Sequence, residues 1–304
     1  MAEYPSKSFR SPSISLLAGL AGLVGRYEAL LCDVWGVVHN GVRIWPEALE
    51  ALIRFRAGGG VVLLLSNAPR PGEEVRAQLV AMGFPNEAID GLLTSGDAVR
   101  VALEKQLYGP VFWHIGPARD VPLMAGLPFR QAATSEEASF IVCSGLYDDT
   151  KETPDDYKAS FGPLIKRDIP MVCANPDLIV ERGDEIIYCA GALAALYETM
   201  GGRVIYFGKP HAPIYETALA RVAYLAGARG LAAPDKTRVL AVGDGMITDM
   251  RGAHAQGLDA LFITGGILAD ELGETPLTPD PQRLADLCAQ EGVQPIGALA
   301  RLVW

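Results

Sequence analysis

Short apolar runs alternate along this chain with stretches in which apolar side chains recur every three or four residues. The first run covers residues 30–32 and ends on Asp33, and residues 47–56 then show the helical spacing. Continuous apolar runs flanked by glycines are typical of buried parallel strands, whereas the 3.6-residue period is typical of amphipathic helices. Their alternation predicts an α/β fold with a Rossmann-like, doubly wound parallel sheet. Further strands are predicted at residues 61–66, 237–244 and 258–264, and further helices at residues 73–82, 213–225 and 248–256.

The middle of the chain has a different pattern, in which shorter apolar runs are separated by polar loops. Short strands are predicted at residues 110–115, 140–144 and 171–174. The first pattern resumes near residue 203, where a strand predicted for the core sheet ends at Gly208. We therefore predict a core domain of residues 1–93 and 204–304, and an inserted, smaller α/β domain of residues 94–203. After residue 264 we expect a proline-containing loop and one or two helices.

Composition and charge limit the classes of function that this chain can have. The chain has 304 residues, of which 50% are hydrophobic and 20% charged, as is typical of a globular protein. A formal net charge of -10 argues against a nucleic-acid partner, which needs clustered Lys and Arg. It is compatible with a phosphorylated substrate that binds at one local positive site. The five cysteines are scattered without a C-x-x-C pair, which favours free thiols and a cytoplasmic location.

Residues 14–24 form an apolar stretch that follows Lys7 and Arg10. The stretch is too short to span a bilayer, and charged Arg26 and Glu28 follow at once, so we favour neither a membrane segment nor a secretion signal. The helical spacing of its leucines predicts an amphipathic helix that docks on the core.

Polar side chains stand where several predicted strands end. Because the carboxyl ends of parallel strands share one edge of a sheet, we expect these side chains to converge on one crevice. An isolated Asp at such a position is more often a turn residue or a helix cap, so the prediction depends on the whole set in its order. The set is Asp33, Ser66 with Asn67, Lys209, and Asp244 with Asp249.

The chemistry of this set suits phosphoryl transfer. Three carboxylates would lie close together and repel one another, namely those of Asp33, Asp244 and Asp249. A Mg²⁺ ion bound by their oxygen atoms would neutralise this charge. Lys209 and the Ser66 hydroxyl would contact phosphoryl oxygens. As a nucleophile, Asp33 would form an aspartyl-phosphate that water then cleaves.

In this order the residues resemble the four motifs of the haloacid dehalogenase (HAD) superfamily of phosphohydrolases. The insertion resembles a C2-type cap domain, and residues 36–41, 175–177 and 208–210 are similar to the class IIA, NagD-like branch. The resemblance implies a Mg²⁺-dependent phosphatase that acts on a small phosphorylated metabolite, such as a sugar phosphate or a nucleotide. It also implies metal ligation by Asp33, by the backbone carbonyl of Trp35, and by Asp244 and Asp249.

Trp35 departs from the superfamily pattern, because most of these phosphatases have a second Asp there as general acid and base. An indole cannot transfer protons in this way. The D-x-W-G-V-x-H form resembles a subgroup within class IIA. One hypothesis is a phosphatase in which His39, a water molecule or the substrate replaces the missing group. The other is a phosphometabolite-binding or regulatory protein that turns over slowly or not at all.

Several residues beside these motifs are predicted to form the substrate pocket. Asn67 and Asn175 are the substrate-binding candidates, and Arg70 and Asp177 are weaker ones. The oligomeric state stays open between a monomer and a homodimer.

Overall fold

The computed structural model of this chain describes residues 13–105, 108–183 and 185–304. Its strands are β1 (Ala29–Cys32), β2 (Val61–Ser66), β3 (Gly91–Thr94), β4 (Val111–Ile115), β5 (Arg130–Gln131), β6 (Phe140–Cys143), β7 (Met171–Cys173), β8 (Ile179–Arg182), β9 (Glu185–Tyr188), β10 (Val204–Tyr206), β11 (Val239–Gly243), β12 (Asp259–Ile263) and β13 (Gly297–Leu299). Its α-helices are α1 (Pro46–Ala57), α2 (Gly72–Ala81), α3 (Ser95–Leu103), α4 (Lys158–Lys166), α5 (Ala190–Thr199), α6 (Ala212–Ala228), α7 (Gly252–Ala255), α8 (Ala269–Leu272) and α9 (Pro281–Gln290).

A six-stranded parallel sheet, in the order β13-β12-β11-β1-β2-β3, forms the centre of the fold. The sheet confirms the predicted doubly wound architecture. Strand β1 lies in the middle, where Cys32 pairs with Leu64 of β2 on one side and with Val242 of β11 on the other. The carboxyl ends of these three strands therefore lie side by side at one edge of the sheet.

Alternate residues of the central strands pack on opposite faces of this sheet. Leu30 and Leu64 belong to the apolar layer that contains Leu52 of α1. Leu31 belongs to the other layer, with Ile214 of α6. Burying one such side chain stabilises the folded state by about 1.5–3 kcal/mol. Because helices pack on both faces of the sheet, many such side chains are buried and hold the central strands rigid beneath the site.

A second parallel sheet, in the order β10-β7-β6-β4-β5, is built from the middle of the chain. Strand β10 belongs to it, because Val204 pairs with Met171 of β7. Our expectation that the strand near residue 203 continues the core sheet is therefore wrong. Strands β8 and β9 form an antiparallel hairpin that we did not predict. The two-domain division itself stays a prediction.

The ends of the described chain differ from the predicted pattern. In place of an amphipathic α-helix, residues 14–24 contain one 3-10 turn, Leu20–Leu23, and Leu16 bridges to Ala298 of β13. Buried Leu20 still anchors the segment on the core, as expected of a docking segment. The tail contains the predicted helices α8 and α9 and also strand β13, which we missed. No helix within the described residues is long and apolar enough to cross a membrane.

Candidate active site

Three carboxyl groups meet at the edge of the six-stranded sheet where β1 and β11 end. Asp33 directly follows β1, Asp244 directly follows β11, and the parallel pairing of these strands brings both side chains to the same edge. Asp249 joins them from a π-helical turn, Met246–Arg251. Oxygen atoms of the three carboxyl groups lie within 4.8 Å of one another. The structure thus brings these three residues together as the sequence predicts.

Lys209 reaches the same point from the segment that follows β10. Its Nζ donates to Asp33 Oδ1 at 2.6 Å and to Asp249 Oδ1 at 2.7 Å. Burial by itself lowers the pKa of this amine, but the charges of Asp249 and Asp33 outweigh burial and raise the pKa well above its ordinary value. The lysine is therefore a fixed positive charge between buried carboxylates.

Burial also raises the pKa of all three carboxyl groups. The charge of Lys209 opposes this effect at Asp33 and at Asp249, whose pKa rises to about 6. At Asp244, burial and then the negative charges of Asp33 and Asp249 raise the pKa well above its usual range. A bound divalent cation would favour the ionised forms of all three.

Glycine is required where the loop after β1 passes Asp244. Gly36 has a positive φ of 78°, and a Cβ atom there would lie 1.9 Å from Asp244 Oδ2. Gly266 also approaches this oxygen, and a Cβ there would lie 2.0 Å from it. The carboxylate of Asp244 is therefore enclosed by backbone, and its Oδ2 accepts the amide of Ile267 at 2.8 Å.

Asn67 holds the backbone that carries the lysine. Its Oδ1 accepts the Lys209 amide at 2.7 Å, and its Nδ2 donates to the Lys209 carbonyl at 3.0 Å. These bonds are those of a positioning residue, and the predicted substrate contact would have to break them. Ser66 does line the cavity, where its Oγ accepts the Ala68 amide at 3.1 Å and can still donate to a ligand.

Trp35 lies on the cavity wall and connects the core to the hairpin β8–β9. Its indole Nε1 donates to the carbonyl oxygen of Glu181 in β8. A main-chain bond of 3.1 Å from Gly183 to Asn40 joins the same two segments. Trp35, which stands where the resemblance implies a carboxylate, is thus a contact between two parts of the fold.

His39 lies behind Trp35, against which its ring packs edge-on with centroids 4.9 Å apart. Only 3% of its surface is exposed, and it is not among the described residues that line the cavity. Its Nδ1 accepts the amide of Gly41 at 2.8 Å, and burial lowers its pKa to about 4. This geometry contradicts the hypothesis that His39 replaces the missing acid and base.

Two other predicted pocket residues contact the protein itself. Asn175 is buried, and its Oδ1 accepts the amide of Asp177 at 3.0 Å, so its side chain shapes the turn after β7. Arg70 donates to Gln78 at 2.6 Å and lies 3.7 Å from a carboxylate oxygen of Asp120. Neither Asn175 nor Arg70 is among the described residues that line the cavity.

Asp177, only a weaker candidate from the sequence, faces the site. It lines the cavity together with Asp33 and Lys209, and its Oδ1 accepts a hydrogen bond of 2.9 Å from Asn67 Nδ2. Burial raises its pKa to about 6, against the lowering effect of the Lys209 charge. The Asn-Pro-Asp turn is the sequence signal for this residue, but such a turn is common without any function.

The cavity has a volume of about 660 Å³ and lies between the edge of the core sheet and the hairpin β8–β9. Eight predicted site residues line it: Asp33, Trp35, Ser66, Asn67, Asp177, Lys209, Asp244 and Asp249. Sequence reasoning missed the rest of its wall, which includes Val180, Glu181, Tyr206, His211, Ile247 and Leu268. These residues form no motif, so no sequence signal pointed to them.

Comparisons with known proteins identify related chains. A family profile described as haloacid dehalogenase-like hydrolase matches residues 30–129, and one described as HAD-hydrolase-like matches residues 206–288. A solved structure of a haloacid dehalogenase-like hydrolase from Brucella suis is 43% identical, with a TM-score of 0.82. The alignment covers 95% of this chain and 100% of that one.

Two curated relatives match over different lengths. Chronophin from Mus musculus is 32% identical over 94 residues, which are 31% of this chain and 32% of chronophin. The chain thus spans about a third of the length of chronophin. A D-glycerol 3-phosphate phosphatase from Mycobacterium tuberculosis is 26% identical over 250 residues, which cover 82% of this chain and 66% of that protein.

Proposed function

This chain belongs to the haloacid dehalogenase-like hydrolase family, and from that premise we propose that it is a Mg²⁺-dependent phosphatase of small phosphorylated metabolites. The observation that carries the proposal is the buried cluster of Asp33, Asp244 and Asp249 with Lys209 between two of its members. Three carboxylates beside one fixed cation can hold a metal ion and a phosphoryl group together. The phosphatase relative from M. tuberculosis supports the same reaction class.

The donor set of this cluster fits Mg²⁺. The three residues offer carboxylate oxygens alone, which are the hard ligands that Mg²⁺ prefers. Gly36 and Gly266 pack closely against Asp244, and the Ile267 amide donates to its Oδ2, so its carboxylate is held in place before any ligand binds. We infer that these three side chains and the Trp35 carbonyl hold the ion. When bound, Mg²⁺ would neutralise charge on the phosphoryl oxygens.

In the proposed reaction Asp33 is the nucleophile. One of its carboxylate oxygens forms a bond to phosphorus while the bond from phosphorus to the substrate's alcohol oxygen breaks, and the product is an aspartyl-phosphate. Attack by water on phosphorus then breaks the bond to Asp33 and releases inorganic phosphate. Lys209 and Ser66 would bind the phosphoryl oxygens, and Asn67 keeps Lys209 in position.

The inserted region, predicted as residues 94–203 and extended by β10 of the second sheet, is proposed to be a cap over this site. The cavity wall contains residues that follow strands of the core sheet, such as Asp33, and residues that follow strands of the second sheet, such as Asp177. The hydrogen bond from Trp35 to Glu181 joins these two parts of the chain. A cap that closes on the substrate would exclude water from the phosphoryl group.

All five cysteines are free and buried, which supports the proposed cytoplasmic location.

A second candidate function is binding of a phosphorylated metabolite without turnover. Trp35 favours it, because the usual proton-transferring carboxylate is missing while the metal and phosphoryl ligands are all present. The two functions differ in one measurable property, the release of inorganic phosphate.

Metal removal tests the proposal directly. We expect phosphate release from phosphomonoesters such as glycerol 3-phosphate and p-nitrophenyl phosphate in Mg²⁺, and a loss of at least about 100-fold in excess EDTA. Added Mg²⁺ should restore the rate. The measurement is phosphate release with purified protein, with calorimetric binding of the same esters in parallel.

Asp244→Asn provides the matched variant for this test, because the amide keeps the shape and removes one charged ligand. Its rate should rise to a plateau only at higher Mg²⁺ concentration than that of the wild type. Equal rates in Mg²⁺ and in EDTA would overturn the metal dependence. Tight ester binding without phosphate release from any ester would replace the phosphatase by the binding protein.

A further inference from the structure

The proposed phosphatase needs a proton donor that Trp35 cannot supply. When the phosphorus–oxygen ester bond breaks, the leaving alkoxide needs a proton, and the attacking water must later lose one. The group must therefore lie in the cavity, near Asp33, and must exist in both protonation states. The inference below rests on the proposed function.

Most ionisable groups of the site are already engaged. Asp33 and Asp249 bind Lys209, and Asp244 is enclosed by backbone in the metal cluster. His39 does not reach the cavity. His211 does line it, but its ring is stacked on Tyr206 with centroids 5.1 Å apart, at the side of the cavity formed by β10.

Asp177 meets the geometric requirement. It lines the cavity from the turn after β7, and the Asn175 side chain fixes that turn. Asn67 contacts both Asp177 Oδ1 and the backbone of Lys209, so the carboxyl group is held beside the phosphoryl-binding lysine. Because Asn67 binds Oδ1, the other carboxylate oxygen of Asp177 is available to a substrate. We propose that Asp177 is the general acid and base of this site, in the role that Trp35 cannot perform.

The proton balance of both steps is then complete. As Asp33 attacks phosphorus, the Asp177 carboxyl proton passes to the departing oxygen, and the alcohol leaves neutral. In the second step the Asp177 carboxylate takes a proton from water while the water oxygen bonds to phosphorus. The bond to Asp33 breaks, phosphate leaves, and both carboxyl groups return to their starting states.

Asp177→Asn tests this assignment with little structural change, because the amide oxygen still accepts the bond from Asn67. Esters of poorly acidic alcohols need a proton donor, whereas p-nitrophenolate leaves without one. We expect kcat/KM for glycerol 3-phosphate to fall about 10²–10⁴-fold. For p-nitrophenyl phosphate we expect a burst of p-nitrophenolate equal to the enzyme concentration and then slow turnover. The slow step is hydrolysis of the aspartyl-phosphate, because the variant has no base to take a proton from the attacking water.

Asp155→Asn is the control, because Asp155 is an exposed carboxylate of the same region, paired with Lys158 on the surface. Its kinetics should match the wild type with both esters. A wild type that hydrolyses neither ester would overturn the phosphatase itself. A wild type that hydrolyses both, beside an Asp177→Asn variant without burst and with equal losses for the two esters, would overturn only the role of Asp177.

Charge on the rest of the cavity wall carries a second inference, on substrate class, which also rests on the proposed function. Among the described residues that line the cavity, Lys209 is the only Lys or Arg. Away from the metal cluster the wall contains Glu181, Glu271 and Glu291, and the carboxylate of Glu291 is paired with Arg251 at 3.3 Å. Apolar Val180 and Leu268 line the space between them. Because no other described Lys or Arg lines the cavity, a second anionic group on the substrate would face Glu271 and Glu181 without a cation on the wall to bind it.

We infer that the site selects phosphomonoesters whose alcohol part carries no negative charge. The test is a pair of aryl phosphates of equal size, 4-carbamoylphenyl phosphate and 4-carboxyphenyl phosphate, compared at low ionic strength. We expect kcat/KM to favour the neutral ester about tenfold. Glu271→Lys should narrow the ratio, whereas Asp155→Lys, away from the cavity wall, should leave it unchanged. Hydrolysis of both esters at equal rates would overturn the charge selection, and hydrolysis of neither would overturn the phosphatase.

Discussion

Asparagine in place of Asp33 is expected to lower kcat for phosphate release by at least about 10⁴-fold, the scale seen when a covalent nucleophile is removed. A carboxamide oxygen does not form a stable bond to phosphorus, so no aspartyl-phosphate accumulates. The carboxamide oxygen of the Asp33→Asn variant would still accept a hydrogen bond from Lys209 Nζ, which keeps the buried site assembled. The measurements are phosphate release at saturating ester and calorimetric binding of the same ester in Mg²⁺.

Asp120→Asn is a matched control, since Asp120 is buried like Asp33 but is not among the described residues of the cavity wall. We expect it to alter stability, because Asp120 lies near Arg70, and to keep the turnover of the wild type. An Asp33→Asn variant that still turns over within tenfold of the wild type would rule out Asp33 as the nucleophile.

The sequence was sufficient for the centre of the fold because the central strands are continuous apolar runs. β1, β2 and β11 are buried on both faces, so their composition alone distinguishes them from loops. β5 consists of two exposed polar residues, and β13 begins at a glycine and contains a single large apolar residue, so neither forms an apolar run that indicates a strand. The sequence predicts β10 as a strand, but an isolated strand pattern does not tell which sheet the strand joins.

The same limit applies to the candidate site. Asp33 and Asp244 could be placed together because each follows a strand of one parallel sheet, whose geometry fixes where strand ends lie. His39 has the right chemistry for an acid and base, but the sequence does not show that its side chain points behind Trp35. Asn175 is likewise the right residue type, but its amide is used within its own turn.

The hairpin β8–β9 shows what long-range contacts add. Neither strand was predicted, but the carbonyl of Glu181 in β8 receives the indole hydrogen of Trp35. In the sequence, Trp35 was simply a missing carboxylate. In the structure it is a contact between the loop after β1 and the proposed cap, and the proposed proton donor is Asp177, which lines the same cavity from another segment.

Methionine in place of Lys209 is expected to destabilise the protein as well as to abolish turnover. The substitution removes the cation between Asp33 and Asp249 and leaves buried carboxylates without their partner. Breaking a buried ion pair in this way costs about 3–5 kcal/mol in the free energy of unfolding. Lys151→Met is the control, because Lys151 pairs with Asp148 on the surface and its loss should change stability by less than about 1 kcal/mol.

The size of this loss should depend on Mg²⁺, since the ion and the lysine neutralise the same carboxylates. In EDTA the Lys209→Met variant has neither cation, so the full penalty is exposed. In Mg²⁺ the ion replaces part of the missing charge, and we expect the ion to stabilise the variant more than it stabilises the wild type. Urea unfolding of both proteins with and without Mg²⁺ measures this difference. If Mg²⁺ stabilises the variant and the wild type equally, the ion does not bind beside Asp33 and Asp249. If the variant is as stable as the wild type in EDTA, the buried carboxylates do not depend on Lys209.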